Sequence, residues 1–103
     1  MMLEYPITIR RSEVDPSRGT VSFPDFPDFT EELQWDKPDV MIRRAAVHLG
    51  TAYFIVEDGG GDIPKPSVGA STSTSRRVTG LCRCNYDKFK ELALRVKRFD
   101  FTE

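Results

Sequence analysis

Hydrophobic and polar residues alternate near the start of the chain, a pattern that predicts a β-strand with one buried face. Tyr5, Ile7 and Ile9 share one face of this strand over residues 5–10. The sequence Asp-Pro-Ser-Arg-Gly follows at 15–19, where Pro fixes one turn angle and Gly supplies a positive one. A hairpin is therefore predicted after the first strand.

Two further strands are predicted before the first helix. The second covers residues 20–23 and stops at Pro24, because proline cannot donate a hydrogen bond to an interior ladder. The third lies within residues 26–35, around Phe29 to Trp35. Three consecutive strands joined by short turns form an antiparallel meander.

A helix is predicted from Asp36, as its N-cap, to about Val56, with Pro38 in its first turn and a stop before the three glycines at 59–61. Residues at helical spacing form one apolar face that we expect to pack on the sheet. They are Ile42, Ala45, Ala46, Leu49, Ala52, Tyr53 and Val56.

The other side of this helix carries a second apolar stripe. Val40, Val47 and Phe54 recur there every seven residues. A domain of this size has little second core to cover them, so the stripe is expected to meet a tail element, a second subunit or a partner protein.

The remaining sequence divides by composition. A linker rich in Ser, Thr and Gly at 69–75 separates a domain over residues 1–68 from a tail over 76–103. Within the tail, residues 76–82 predict a fourth strand that returns to the sheet edge. The elements together predict an α+β protein with the order β-β-β-α-β and a short C-terminal helix.

That last helix begins at an N-cap supplied by Asn85 or Asp87. Its apolar stripe consists of Phe89, Leu92, Val96 and Phe99. Basic residues of the tail are candidates for nucleic-acid contact through phosphates, and the alternative is an ordinary amphipathic helix with solvated charges. They are Arg76, Arg77, Lys88, Lys90, Arg95, Lys97 and Arg98.

Charge is divided unevenly between the two parts of the chain. Residues 1–75 hold seven basic and twelve acidic residues, whereas residues 76–103 hold eight basic and four acidic ones. The division indicates two surfaces, an acidic one for a basic partner and a basic one for an acidic or nucleic partner; the alternative is chance clustering on solvated faces. Neither a membrane-spanning stretch nor a secretion signal is visible, so the cytoplasm is the expected location.

Side chains that often carry chemistry are present but not grouped for it. Asp25 and Asp28 sit in one proline-broken loop, whereas a two-metal nuclease needs carboxylates from several elements. His48 has no Ser or Cys placed by a motif to use it as a base, and Cys82 and Cys84 are expected to be reduced thiols. We therefore expect no catalytic residue, no metal and no cofactor.

Several motifs in this order resemble the HicB-type antitoxins. They are the strand at 5–9, the segment 19–27, an Ala-rich helix and the segment 61–67. The most specific pieces are Val-Ser-Phe-Pro-Asp-Phe-Pro at 21–27 and Ile-Pro-Lys-Pro-Ser at 63–67. The resemblance covers about residues 3–68.

The resemblance implies a partial RNase H-like (HicB) domain without that fold's catalytic carboxylates. It also implies a function, the neutralisation of a HicA-type toxin, which is a small basic ribonuclease that cleaves mRNA. Such antitoxins usually form dimers or tetramers and add a C-terminal DNA-binding module that represses their own operon. Residues 69–103 offer only one strand and one helix, too few for a complete helix-turn-helix or ribbon-helix-helix.

Three hypotheses follow from the sequence. The first is an antitoxin that binds a basic ribonuclease, with toxin or subunit contacts at Asp25, Asp28, Glu31, Glu32, Val40, Val47 and Phe54. The second is a DNA-binding regulator that contacts operator DNA through residues 76–98, and the third is a protein that retains nuclease activity. An orphan mobile-element protein with a different protein partner is a further alternative to the first.

Overall fold

The computed structural model describes the backbone of residues 1–101 and the side chains of residues 1–93. The chain forms a mixed α+β fold, as predicted. Its elements in order are β1 (Met2–Arg11), β2 (Arg18–Phe23), β3 (Phe26–Gln34), α1 (Pro38–Arg44), α2 (Ala46–Asp58), β4 (Thr72–Ser73), β5 (Arg77–Asn85) and α3 (Tyr86–Phe101).

The described strands form one antiparallel sheet in the order β3-β2-β1-β5-β4. The predicted meander of three strands is confirmed. The returning strand lies beside β1 and is longer than the predicted 76–82, with nine cross-strand pairs that run from Met2–Asn85 to Arg10–Arg77. The sheet thus crosses the boundary drawn by composition at residue 68, and the first part of the tail is an interior strand.

One face of the sheet is buried under the helices. Alternation in β1 turns Leu3, Tyr5, Ile7 and Ile9 toward this core, and β5 contributes Val78, Cys82 and Cys84. Met41, Ala45, Leu49, Ala52 and Tyr53 supply the helical side. Four residues of the predicted helix face, Ala45, Leu49, Ala52 and Tyr53, are therefore confirmed as core residues. Met41, which was not predicted, also belongs to the core.

The predicted single helix is two helices. They separate at Ala45, whose ψ of −6° departs from helical geometry while its side chain stays fully buried. The N-cap of α1 is Lys37 and not the predicted Asp36. The Asp36 carboxylate instead accepts hydrogen bonds from the Lys37 backbone N–H at 2.8 Å and from Arg44 Nη1 at 3.1 Å.

The three glycines end α2 as predicted. Gly60 adopts a left-handed conformation with φ of 71°. The N–H of Gly61 donates to the carbonyl of Val56 at 3.0 Å, and the N–H of Gly60 donates to that of Glu57 at 3.2 Å. This pair of bonds is the Schellman arrangement, which satisfies carbonyls that the helix end leaves free.

The last helix is anchored at its start. Asn85 Oδ1 accepts the backbone N–H of Lys88 at 3.2 Å, so Asn85 has the predicted capping role. The ring of Phe89 lies directly against Gly50 of α2, where an added Cβ would come within 2.6 Å of the ring. Val96 and Phe99 of the predicted stripe lie outside the residues whose side chains are described.

None of the helices in the described part of the chain is long and apolar enough to cross a membrane.

We expect Gly60→Val to lower the free energy of unfolding by about 1–2 kcal/mol, because a β-branched residue is strained at a positive φ. Gly60→Asn should cost clearly less, since Asn tolerates the left-handed region. Urea unfolding of the three proteins measures both changes. Equal stability of the Val and Asn variants would contradict a left-handed turn at this position.

Candidate functional site

A cleft lies between the start of β3 and the C-terminal half of α2, with a volume of about 310 Å³. Its walls are mostly apolar, and three carboxylates stand among them. The apolar lining is Phe26, Pro27, Phe29, Ala52, Ile55, Val56 and Pro64. The acidic residues are Asp25, Asp28 and Asp62. We call this feature the acidic cleft.

An aromatic cluster shapes the β3 wall of the acidic cleft. The register of β2 and β3 shifts between Ser22 and Phe23, and the start of β3 leaves the regular ladder there. Phe26 packs against Tyr5 with 5.0 Å between ring centroids, and its ring meets Phe23 edge-on at 6.5 Å. These contacts pack the start of β3 against β1 and β2.

Asp25 is engaged within the fold. Its carboxylate accepts the backbone N–H of Ser67 at 3.0 Å and also the Ser67 hydroxyl. Nearby, the Tyr5 hydroxyl donates to the carbonyl of Pro64 at 2.6 Å. The two most specific sequence motifs, 21–27 and 63–67, therefore contact each other, and Asp25 joins them.

Asp28 and Asp62 differ from Asp25. Both side chains are exposed, and neither forms an ion pair or a side-chain hydrogen bond to any residue that the structure describes. Their carboxylates are solvated at the rim of an apolar cavity. This arrangement is suited to a ligand with an apolar body and a positive charge.

Glu31 and Glu32 lie on opposite faces of β3. Glu31 pairs with the buried Val21 and so faces the helices, and its charge acts on His48 of α2. Glu32 faces the other side and forms an ion pair with Arg18 at 2.9 Å. The predicted acidic set is therefore divided by the sheet: of the two glutamates, only Glu31 lies on the side of the acidic cleft.

The predicted apolar stripe is only partly continuous. Val47 is 53% exposed, and Phe54 is half-buried against the core. Val40 lies on α1, beyond the break at Ala45. Ile55 is 57% exposed and lines the acidic cleft, and the sequence interpretation missed it because it lies one residue beyond the heptad spacing.

The basic residues of the tail do not form one surface. Arg76 and Arg77 lie at the beginning of β5, whereas Lys88 and Lys90 follow its end, so the whole strand separates the two pairs. Lys90 forms an ion pair with Glu57 at 3.2 Å. Arg95, Lys97 and Arg98 lie outside the residues whose side chains are described.

Strand pairing gives Arg76 and Arg77 other neighbours. Arg77 is directly opposite Arg10, and the carbonyl of Arg76 accepts the N–H of Arg11 at 2.8 Å. Arg10 and Arg77 thus form one cross-strand arginine pair at this end of the sheet. Arg11 points to the other face, where its guanidinium donates to the carbonyls of Pro16 and Ser75. The sequence contains an Arg-Arg dipeptide at 10–11 and another at 76–77. Their proximity could be recognised only once the register of β1 and β5 was known.

The remaining candidates for chemistry are two buried cysteines and the half-buried His48. Burial raises the pKa of the Cys82 thiol to about 12 and also raises the pKa of Cys84. Burial lowers the pKa of His48, and the nearby Glu31 opposes that shift. Within residues 1–93, no group of three or more His, Cys, Asp and Glu side chains is placed to hold a metal ion.

No protein-family model matches the chain, and no curated protein and no solved structure matches it.

The pKa of His48 reports the placement of Glu31. Because the negative charge of Glu31 raises this pKa against the effect of burial, Glu31→Gln should lower it further. Glu32→Gln should leave it unchanged, since Glu32 lies across the sheet. NMR titration is unambiguous because the chain has a single histidine.

The same group gives stability a pH dependence with a defined sign. The pKa of His48 is lower in the folded state than its ordinary value of 6.5, so the unfolded chain binds the proton more readily. The contribution of His48 to stability is therefore complete above pH 6.5 and decreases as the pH falls below that value.

In the NMR titration, an equal shift of the His48 pKa in the Glu31→Gln and Glu32→Gln variants would contradict the placement of the two glutamates on opposite faces of the sheet.

Proposed function

We propose that this protein is the antitoxin of a type II toxin–antitoxin system, which acts in the cytoplasm by binding and neutralising a HicA-type mRNA-cleaving ribonuclease. It holds the toxin without catalysing a reaction. The observation that carries the proposal is the acidic cleft, in which solvated carboxylates surround an apolar cavity beside the exposed Ile55.

Charge and apolar contact have separate roles in such binding. Asp28, Asp62 and Glu31 attract a basic partner over a distance and mainly raise the association rate. Ile55 and the cleft walls lose water in the complex and mainly set its lifetime. A cavity of about 310 Å³ is at the small end for ligand sites, which suits one anchoring side chain of the partner.

The fold supports the resemblance to HicB-type antitoxins at the level of element order. Three strands, a helical segment and a returning strand follow each other along the chain, with the short β4 added before the returning strand. The contact between residues 21–27 and 63–67 also explains why the two motifs occur together in one chain, since Asp25 of the first binds Ser67 of the second. A partial RNase H-like (HicB) arrangement and assembly into a dimer or tetramer belong to the proposal.

Two substitutions at the acidic cleft separate these roles. With a HicA-type toxin as the binding partner, Asp28→Lys should lower the association rate about tenfold at low salt, and the deficit should shrink as salt is added. Ile55→Ser should raise the dissociation rate, with about a tenfold loss of affinity, which corresponds to about 1.4 kcal/mol. Biolayer interferometry measures both rates, and growth rescue on co-expression measures neutralisation.

Glu13→Lys is the matched control for the charge change. Glu13 is exposed, and it lines a different surface depression, with Arg11 and Arg76. This variant should neutralise the toxin as well as the wild type does. Absence of binding by the wild-type protein would reject the antitoxin function, and equal effects of Asp28→Lys and Glu13→Lys would reject the acidic cleft as the site.

A second candidate function is DNA-binding regulation of the operon. The observation that favours it is the cross-strand pair of Arg10 with Arg77, two exposed arginines that lie directly opposite each other at one end of the sheet. Like charges directly opposite each other destabilise a sheet, and bound phosphates would relieve this repulsion. Removal of residues 76–103 is not a clean test because it would delete the interior strand β5.

Point variants test the second candidate without disturbing the sheet. Arg10→Ala combined with Arg77→Ala should weaken binding to duplex DNA from the region upstream of the gene and reduce the salt dependence by about two phosphate contacts. Lys88→Ala, which changes an exposed charge beyond the far end of β5, should change neither. Fluorescence anisotropy across a salt series provides the measurement, and identical salt slopes for all the proteins would contradict this function.

A further inference from the structure

The two edges of the sheet are very different in length. In the part of the chain that the structure describes, β3 pairs with β2 alone and has nine residues, whereas the opposite edge strand β4 has two. A long edge strand offers a row of backbone donors and acceptors to another strand.

The hydrogen bonds identify which backbone groups of β3 are open. The N–H of Trp35 donates to the carbonyl of Ser17 at 2.8 Å, so the backbone of Trp35 faces β2. Alternation along an antiparallel strand turns Leu33 and Glu31 the same way. The N–H and C=O groups of Thr30 and Glu32 therefore point outward, away from β2.

The side chains along this edge select the kind of strand that can pair with it. Asp28, Glu31 and Glu32 follow each other closely, so a second copy of β3 would bring carboxylates against carboxylates. A strand that carries Lys or Arg would meet favourable charges instead. The register shift takes residues 27–29 out of the regular ladder, and Pro27 adds to the irregularity, which leaves residues 30–34 for pairing.

The open edge is continuous with the acidic cleft. Residues 25–29 form one wall of that cleft and lead directly into the regular part of β3. A partner strand that pairs with residues 30–34 would end beside the cavity, where its next side chain can enter. One extended segment can thus supply both the backbone bonds and the anchor.

We propose that β3 receives an extended strand of the basic partner, which adds to the sheet along residues 30–34 and places one side chain in the acidic cleft. This inference rests on the proposed antitoxin function, and it specifies how the toxin is held. Backbone bonds supply affinity along the strand, and the carboxylates select the basic partner.

Thr30→Pro tests this strand pairing directly. Proline removes an N–H that faces the open edge, so every backbone bond between β2 and β3 is retained. With the HicA-type toxin as the probe, the affinity should fall about tenfold or more, whereas the matched control Thr30→Ala should stay within about twofold of the wild type. Circular dichroism of each variant checks that the sheet is intact.

Hydrogen exchange on the wild-type protein gives a second readout that needs no variant. The amides of Thr30 and Glu32 should exchange more slowly once toxin is bound. If the wild type binds toxin but these amides are not protected and Thr30→Pro binds normally, strand addition is rejected and the antitoxin function stands. If Thr30→Pro does not fold, amide protection decides alone, and if the wild type does not bind toxin, both proposals are rejected.

Discussion

The antiparallel pairing of β1 with β5 is the contact on which the other features depend. It joins Met2–Arg11, at the start of the chain, to Arg77–Asn85, beyond the first three strands and both central helices. Since β2 already occupies the other side of β1, β3 is left as the long open edge. The same pairing brings Arg10 and Arg77 together and places the thiol of Cys82 in the core.

The acidic residues of the front part of the chain have different roles once the fold is formed. Asp25 is occupied by Ser67 and ties two loops together, and Glu32 is paired with Arg18 on the face away from the helices. Asp28 and Asp62 line the acidic cleft with the exposed Ile55, and Glu31 lies on the same face of the sheet, near His48 of α2. Only part of the acidic excess in the sequence therefore forms one surface, which lies on the side of the sheet that faces α2.

Local patterns in the sequence predicted much of the fold. Alternation at Tyr5, Ile7 and Ile9 identified the core face of β1, and three adjacent glycines identified the end of α2. The break at Ala45 was not predictable, because alanine favours a helix and the backbone turn is set by tertiary packing. The extent of β5 was also missed, since its register depends on contacts far apart in the sequence.

The candidate site was less predictable than the fold. Glu31 and Glu32 were grouped by sequence proximity, although neighbouring residues of a strand point to opposite faces. Ile55 became visible only when α2 and β3 were placed side by side. The acidic cleft is formed by residues of different elements that are adjacent only in the folded protein, so composition alone could not identify it.

Site-specific photocrosslinking can locate the surface at which the proposed basic partner binds. A benzophenone amino acid is placed at Ile55, in the acidic cleft, in one protein and at Leu81 in another. Both positions are exposed, but Leu81 pairs with Pro6 and points to the face of the sheet away from the helices. Binding at the acidic cleft should give a crosslink to the HicA-type toxin from position 55 and none from position 81. A crosslink from position 81 alone would contradict binding at the cleft.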